Sequence, residues 1–157
     1  MFAELLGCSS FSFLRGASHP HEVVARAKEL ELPALALCDR DGLYGSARAF
    51  IAGRELSQRV IVGAELTLGD GSPRRGVAAP KRKVPIERPT LALLVENHAG
   101  YRNLCRLLTR AHADLPKGES ELELGWLRDH SEGLFALVPA PKRPGSASTP
   151  GHELLVS

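Results

Sequence analysis

The chain has 157 residues, 43% of them hydrophobic and 24% charged, which is the balance of one ordinary globular domain with its own core. Its formal net charge of +2 is too small to indicate, by itself, a nucleic-acid or membrane partner. No apolar run approaches the roughly 18 residues that cross a bilayer. The first residues include Glu4 and lack a basic region, so they do not resemble a secretory signal.

Cysteine and aromatic content narrow the class of protein further. Cys8, Cys38 and Cys105 are odd in number and irregularly spaced, so we expect reduced thiols in a cytoplasmic protein. Aromatic residues make up only 5% of the chain, which argues against stacking platforms for single-stranded nucleic acid.

The first third of the chain alternates predicted strands with predicted helices. We predict strands over 2–6, 34–38 and 60–62, with one helix between each pair. The first helix begins near Ser18 or His19, with Pro20 in its first turn. The apolar face of the second helix is predicted to contain Leu43, Ala47, Phe50 and Ile51. This order of elements is typical of a parallel α/β sheet.

The rest of the chain continues the same pattern with longer connections. We predict buried strands over 91–95 and 134–138, a helix over 99–113, and a short helix near 121–129. The stripe predicted to be core on the 99–113 helix is Tyr101, Leu104, Cys105, Leu108 and Ala111. One domain over 1–140 therefore carries a basic, Pro-rich loop insertion at 72–88, and 141–157 is a Pro/Gly/Ser-rich linker or tail.

Function in parallel α/β folds collects at the carboxyl ends of the strands. The polar residues expected there are Cys8, Cys38, Asp39, Asp41 and Glu65, with Arg15 and Arg40 beside them. This set is small, and it mixes thiols, carboxylates and guanidinium groups. The sequence contains no Gly-rich phosphate loop, Ser-His-Asp set or CxxC pair that would indicate a more specific chemistry.

Several of the same segments carry a family resemblance. They are FAEL at 2–5, FSFLRGASHP at 11–20, LPALAL at 32–37, DGLYG at 41–45, GAEL at 63–66 and GYRNLCRL at 100–107. Together they closely resemble the PHP (polymerase and histidinol phosphatase) domain that begins the alpha subunit of bacterial DNA polymerase III. The details are most similar to the error-prone branch, and the resemblance spans roughly residues 2–140.

The resemblance implies an α/β fold, an incomplete and distorted barrel of mostly parallel strands with a multi-metal site at the strand ends. Intact members place metal ligands at positions that hold Leu6, Cys8, Arg15, Arg40 and Thr90 here. Glu65 is the one ligand clearly kept, so Glu65, Asp39 and Cys8 are remnants of a degenerate site.

Arginine brings fixed positive charge, and catalytic Zn²⁺ needs about three protein ligands, so we expect no catalytic residue and no bound Zn or Mn. Our hypothesis is that Arg15 and Arg40 pair with Glu65 and Asp39, replacing metal by salt bridges.

Other residues have two interpretations each. His19 and His21 have His-x-His spacing, but helix capping and surface exposure explain them more simply. Cys8 and Cys38 could form a thiolate pair, or could be two small buried side chains. The residues expected at the surface are His98, His112, His130 and His152. The candidates for contact with DNA phosphates are Arg74, Arg75, Lys81, Arg82 and Lys83, for which a solvated loop is the alternative.

The resulting prediction is an N-terminal PHP fragment of an error-prone DNA polymerase III alpha-like protein, acting as a structural scaffold. DNA-directed nucleotidyl transfer in replication and repair would belong to a palm domain beyond residue 157. Expected partners are the remainder of a polymerase polypeptide or replication and repair proteins, with DNA through the parent and no membrane. A stand-alone PHP phosphoesterase and a non-catalytic polymerase-associated adaptor are the alternatives. Exposed edge strands of a partial barrel would favour association.

Overall fold

The computed structural model describes residues 2–69 and 88–139, together with the backbone of 152–154. Its elements are β1 (Glu4–Gly7), α1 (Pro20–Glu29), β2 (Leu35–Arg40), α2 (Ser46–Glu55), β3 (Val60–Thr67), β4 (Thr90–Val95), α3 (His98–His112), a 3-10 helix (Leu124–Asp129), β5 (Leu134–Pro139) and β6 (His152–Leu154). The basic insertion predicted at 72–88, apart from Arg88, lies outside the described residues. The tail predicted at 141–157 does so too, apart from the backbone of β6.

The strands form one sheet in the order β1-β2-β3-β4-β5-β6, curled into a half-barrel. The predicted α/β class and incomplete barrel are confirmed. Strands β1, β2 and β3 pair in parallel, whereas the pairings of β3 with β4, β4 with β5 and β5 with β6 are antiparallel, so β1, β2, β3 and β5 run one way and β4 and β6 the other. Strand β4 is buried on both faces, as a parallel strand would be, so its hydrophobic pattern does not report its direction.

The helices cover one face of the sheet, and an apolar cluster occupies the other. Leu35 and Leu37 of β2 pack with α1 and α2, whereas Ala36 and Cys38 point to the opposite face, as strand alternation requires. Helix α3 packs through Leu104, Leu107 and Leu108 against buried residues of β3 and β4. No helix in the described parts of the chain is long and apolar enough to cross a bilayer.

Helix α2 forms as predicted but buries a different face. Phe50 and Ile51 are 52% and 56% exposed, Ala47 is exposed, and Leu43 precedes the helix. The buried residues are instead Ser46, Ala49, Ala52 and Gly53. A Cβ added to Gly53 would lie 2.7 Å from the Val60 side chain, so the helix approaches the sheet too closely for larger residues. Small residues therefore define the packed face.

Asn97 immediately precedes helix α3 and caps it, because its side chain accepts a hydrogen bond of 3.1 Å from the Gly100 N–H. Leu104, Leu108 and Ala111 are buried, as the predicted stripe required. Tyr101 is 42% exposed, so its assignment to the core is wrong. The tyrosine lies at the border of the stripe, where a ring can be half covered and still reach water.

Candidate functional site

The carboxyl ends of β2 and β3 and the start of β4 meet around Glu65. Arg15 Nη1 lies 2.7 Å from one oxygen of its carboxylate, Oε2. The other oxygen, Oε1, accepts a hydrogen bond of 2.7 Å from Thr90 Oγ1 and lies 3.6 Å from Arg40 Nη1. We call these four residues the strand-end site. Arg15, Arg40 and Thr90 stand where the resemblance places lost metal ligands, and all three contact Glu65, the one ligand that is kept.

Asp41 and Thr67 lie beside this site, and Asp41 supplies a second negative charge. Arg40 Nε donates to Thr67 Oγ1 at 2.9 Å and to Asp41 Oδ2 at 3.3 Å. Asp41 also accepts hydrogen bonds from the backbone N–H and the hydroxyl of Thr67, at 2.7 and 2.6 Å. Arg15 and Arg40 therefore face Glu65 and Asp41, two positive charges against two negative ones. The side chains are from 15% to 37% exposed, so water screens their attractions only in part.

Among the described residues, neither Arg15 nor Arg40 nor any other arginine forms an ion pair with Asp39, so that half of our salt-bridge hypothesis is wrong. Its buried carboxylate accepts hydrogen bonds from the backbone N–H of Ser9 at 2.8 Å and from the hydroxyls of Ser9 and Ser12 at 2.8 to 3.0 Å. The Ser12 hydroxyl in turn accepts the Arg40 N–H at 3.0 Å. Asp39 thereby fastens the loop after β1 to the end of β2.

Two cysteines accompany the strand-end site, Cys8 partly exposed and Cys38 buried, and the pKa of each thiol is raised. Burial raises the pKa of Cys38 far above its ordinary value, with a further contribution from Glu65. Burial also raises the pKa of Cys8, and Asp39 adds to the effect. Cys38 Sγ lies 3.4 Å from the Leu5 carbonyl oxygen, to which it donates. Raised pKa values keep both groups as thiols, which are poor metal ligands and nucleophiles.

The histidines are placed partly as predicted. His19 and His21 are exposed at the start of α1, with stacked rings 5.7 Å apart, and the His19 N–H donates to Glu22 at 2.7 Å. His98 is exposed as predicted, but His112 is not a surface residue. Its ring nitrogens lie 2.7 Å from the Asp41 carbonyl oxygen and 3.1 Å from that of Glu119. The ring thus ties the end of α3 to the loop after β2.

His130 is half-buried, and its Nδ1 lies 3.1 Å from the Trp126 carbonyl oxygen. Its assignment to the surface is therefore wrong, because the ring folds back onto the 3-10 helix. The side chain of His152 lies outside the described residues.

The residues present do not fit the metal cluster that the fold family implies. Leu6 has no donor atom and packs against the apolar cluster on the face of the sheet opposite helices α1 and α2. Glu65 is held by two guanidinium groups, and Asp39 by hydroxyls and an N–H. Across residues 2–69 and 88–139, no three His, Cys, Asp or Glu side chains are grouped so that they could hold a metal ion. Structural and catalytic sites need about three or four such ligands.

The proposed DNA-contacting residues, Arg74, Arg75, Lys81, Arg82 and Lys83, lie outside the described residues, so their role stays a prediction. Arg88 at the end of the basic segment is described. Its Nη1 lies 2.6 Å from Glu121 Oε1, and both side chains are largely buried. This residue therefore belongs to the packing of the domain.

Comparison with known proteins identifies the family. The family model described as "PHP domain" matches residues 8–152, and the chain belongs to that family. A curated relative named "Error-prone DNA polymerase" from Anaeromyxobacter sp. (strain K) is 49% identical over 111 residues, which are 71% of this chain and 9% of the relative. The polymerase of the same name from Anaeromyxobacter dehalogenans (strain 2CP-C) is 48% identical over 147 residues, covering 88% of this chain and 12% of the relative. The chain thus matches the PHP region of much larger DNA polymerase polypeptides.

Solved structures agree on the fold. A putative metal-dependent phosphoesterase from Bifidobacterium adolescentis aligns with a TM-score of 0.50 and 18% identity over 71% of this chain and 33% of its own. An amidohydrolase from Chromobacterium violaceum aligns with a TM-score of 0.51 and 24% identity, over 70% and 33% of the two chains. Identities this low establish a shared fold and nothing about shared chemistry.

Four residues important to the site were not assigned a role from the sequence. Ser9 and Ser12 hold Asp39, Thr67 holds Asp41, and His112 joins α3 to the site. Ser9 and Ser12 lie in the loop that follows the first predicted strand, where they could have indicated hydrogen-bond partners for a buried carboxylate. Nothing in the sequence around Thr67 or His112 pointed to their contacts.

Proposed function

We propose that this chain is a non-catalytic PHP module of an error-prone DNA polymerase-like protein, in which arginine side chains take the place of metal ions. One observation carries the proposal. Arg15, Arg40 and Thr90, which stand where the family has metal ligands, all contact the carboxylate of Glu65. The contacts hold together the strand ends that a metal cluster would otherwise join.

Electrostatics support the replacement of metal ions by arginine side chains. A divalent cation at Glu65 would lie within a few ångströms of the two positively charged guanidinium groups of Arg15 and Arg40. The two carboxylates beside the arginines already balance their charge, so a cation would add unpaired positive charge at a partly buried place. Removing water from such a charge is costly.

The biological setting of the proposal comes from the relatives, of which this chain spans about a tenth. We place the module with the remainder of a polymerase polypeptide, or with replication and repair proteins, in the cytoplasm. Nucleotidyl transfer would belong to the larger polypeptide. Contact with DNA would involve the basic residues at 74–83, whose positive charge attracts phosphates without regard to sequence.

Metal analysis of the purified protein tests the proposal. We expect no Zn, Mn or Fe at stoichiometric amounts after dialysis, and an unchanged unfolding midpoint when EDTA, Mn²⁺ or Zn²⁺ is added, because a ligand stabilises only a state that it binds. A metal that resists dialysis and raises the midpoint would contradict the proposal.

A stand-alone phosphoesterase is the catalytic alternative. It predicts hydrolysis of a phosphate ester, or of 3′ DNA ends, on addition of Mn²⁺ or Zn²⁺, and loss of that hydrolysis in Glu65→Gln. The donor set at the strand ends argues against it. An adaptor that binds polymerase partners is the other alternative. An open reading frame directly downstream that encodes the remaining barrel and palm would favour a split polymerase over an adaptor.

A further inference from the structure

The solvent side of helix α3 carries a row of arginines. Arg102, Arg106 and Arg110 are exposed and recur at every fourth position, so they lie on successive turns of the helix. The opposite side of the helix packs against the sheet through Leu104 and Leu107. Because a helix rises about 1.5 Å per residue, neighbouring arginines are attached about 6 Å apart along its axis. We call these three residues the arginine row.

The charges of α3 are of one sign, unlike those of the other two α-helices. Helix α1 contains Glu22 and Glu29 among its basic residues, and α2 contains Glu55, whereas α3 has three arginines and no Asp or Glu. Like charges four residues apart repel and destabilise a helix. Glu forms helices about as well as Arg and would relieve this repulsion. Helix formation therefore does not explain why all three positions hold Arg.

Neighbouring carboxylates do not neutralise the first two members of the arginine row. Glu96 and Asp114 are the acidic residues closest to α3 in the sequence. Within the two described stretches, 2–69 and 88–139, no ion pair links either of them, or any other carboxylate, to Arg102 or Arg106. The positive charge of these two side chains is therefore open to a partner, although the net charge of the whole chain is small.

The third member of the row is restrained by an aromatic ring. The guanidinium carbon of Arg110 lies 4.4 Å from the centre of the Trp126 ring, which is a cation–π contact. Trp126 itself packs against the core cluster that includes α3. A side chain that is already restrained loses less conformational freedom when it binds a ligand. One end of the arginine row is thus preorganised.

The surroundings of the row suit a nucleic acid better than an acidic protein. Between the arginines lie Cys105, which is partly buried, and Thr109. Tyr101 is the one large hydrophobic residue exposed on α3, and it lies at the border of the packed side. Protein–protein interfaces have an apolar core with few charges, whereas protein–DNA interfaces are polar and strongly positive. The exposed side of α3 has the second composition.

We infer that the arginine row binds successive phosphate groups along one strand of a nucleic acid. A guanidinium group binds phosphate through two parallel N–H···O bonds, and arginine is the residue best suited to this contact. The spacing of about 6 Å along the helix is comparable to the distance between successive phosphates of a nucleic-acid backbone. The inference goes beyond the proposed function, which assigns DNA contact to the basic residues at 74–83, and it does not depend on the absence of metal.

Binding of labelled DNA to the full chain at several salt concentrations, followed by fluorescence anisotropy, tests the inference. The probes are a short duplex and an oligo-dT strand of equal length. Each phosphate contact adds about 0.9 for a duplex, or about 0.7 for a single strand, to the slope of log affinity against log salt. We expect Arg102→Gln/Arg106→Gln/Arg110→Gln to reduce this slope by about 2 to 3 and the affinity at low salt by at least about tenfold. Arg102→Lys/Arg106→Lys/Arg110→Lys should keep most of the slope, because the charges remain. Loss of either DNA supports the inference, and the probe that binds better identifies the form of nucleic acid.

A matched variant separates the arginine row from net charge. Arg26→Gln/Arg54→Gln/Arg59→Gln removes the same charge from exposed positions outside α3 and should keep the salt slope of the wild type. An equal loss in both Gln variants, no binding of DNA, or tighter binding of labelled poly-glutamate than of DNA would overturn the inference. Unfolding midpoints check the fold. The Gln variant of the row should unfold at the same temperature as the wild type or higher, because two repelling pairs are gone, and a lower midpoint would assign the arginines to folding instead. A stoichiometric metal would contradict the proposed function and leave the salt slopes as measured.

Discussion

Arg40 and Glu65 are direct neighbours across the parallel pair of β2 and β3, and their side chains approach to 3.6 Å. The register of the two strands therefore brings a guanidinium to the carboxylate of the remnant site. Because the strands are fixed along their length by the ladder, this contact needs no loop to change its conformation. Glu65 then gains two further partners, from the loop after β1 and from β4.

Glu65→Gln should destabilise the fold. The substitution removes the negative charge between two arginines while keeping the size of the side chain, and loss of a partly buried charged partner costs about 1–3 kcal/mol. Urea unfolding monitored by circular dichroism measures the change. Glu29→Gln is the control, because Glu29 pairs with Arg26 at the surface, where both side chains are about two-thirds exposed. Equal stabilities of the two variants would show that the cluster contributes nothing.

Restoring ligands should restore metal binding. In a variant with Leu6→His, Arg15→Glu, Arg40→His and Thr90→His, donor atoms surround Glu65 and the competing cations are gone. We expect Zn²⁺ at a hundred times its dissociation constant to stabilise this variant by about 2.7 kcal/mol, and the wild type not at all. Thermal unfolding with and without Zn²⁺ measures both. Equal stabilisation of the wild type would mean that its arginines do not block the site.

Ser12→Ala should destabilise the fold more than Ser10→Ala. The Ser12 hydroxyl donates to buried Asp39 and accepts the Arg40 N–H, so its removal leaves both groups short of a partner, at a cost of about 1–3 kcal/mol. The Ser10 hydroxyl makes one long contact of 3.4 Å with an exposed His19 and serves as the matched control. Chemical unfolding of both variants checks the difference. A loss in Ser10→Ala as large as that in Ser12→Ala would refute the account of Asp39.

Cys38 should resist alkylation in the folded protein and lose stability in base. Its pKa is raised in the fold and is near 9 when unfolded, so above about pH 9 the unfolded state releases a proton that the folded state retains. The contribution of the Cys38 thiol to the free energy of unfolding is therefore fully present below about pH 9 and declines as the pH rises above that value. We expect the decline between pH 8 and 10 to be smaller in Cys38→Ala, as measured by urea unfolding. Rapid labelling of native Cys38 by iodoacetamide would contradict its burial.

Most of the fold follows from hydrophobic periodicity. Each described strand and helix overlaps an element predicted from the sequence, apart from β6, which lies in the predicted tail. The face of α2 was predicted wrongly because Phe50 and Ile51 are more hydrophobic than Ala49 and Ala52, whereas close approach to the sheet selects small residues. The hydrophobic pattern of β4 does not reveal that the strand runs antiparallel to its neighbours, because the strand is buried on both faces as a parallel strand would be.

The site was predicted less completely than the fold. The resemblance identified Arg15, Arg40, Thr90 and Glu65, and the structure brings them together. It did not reveal the partners of Asp39, because two serine hydroxyls in a loop give the same sequence signal whether they face water or a buried carboxylate. Hydrogen-bond partners of this kind depend on the path of the chain in space.

The four residues of the strand-end site stand at positions 15, 40, 65 and 90, on four successive segments of the chain. None of the three contacts to Glu65 can form until the segment that carries its partner has docked. All three contacts to Glu65 are therefore present only when the whole sheet has formed. If one of these segments detaches, Glu65 loses a partner, and the packing of the remaining segments is weakened. Amide protons near the ends of β2, β3 and β4 should therefore exchange with solvent as one cooperative unit.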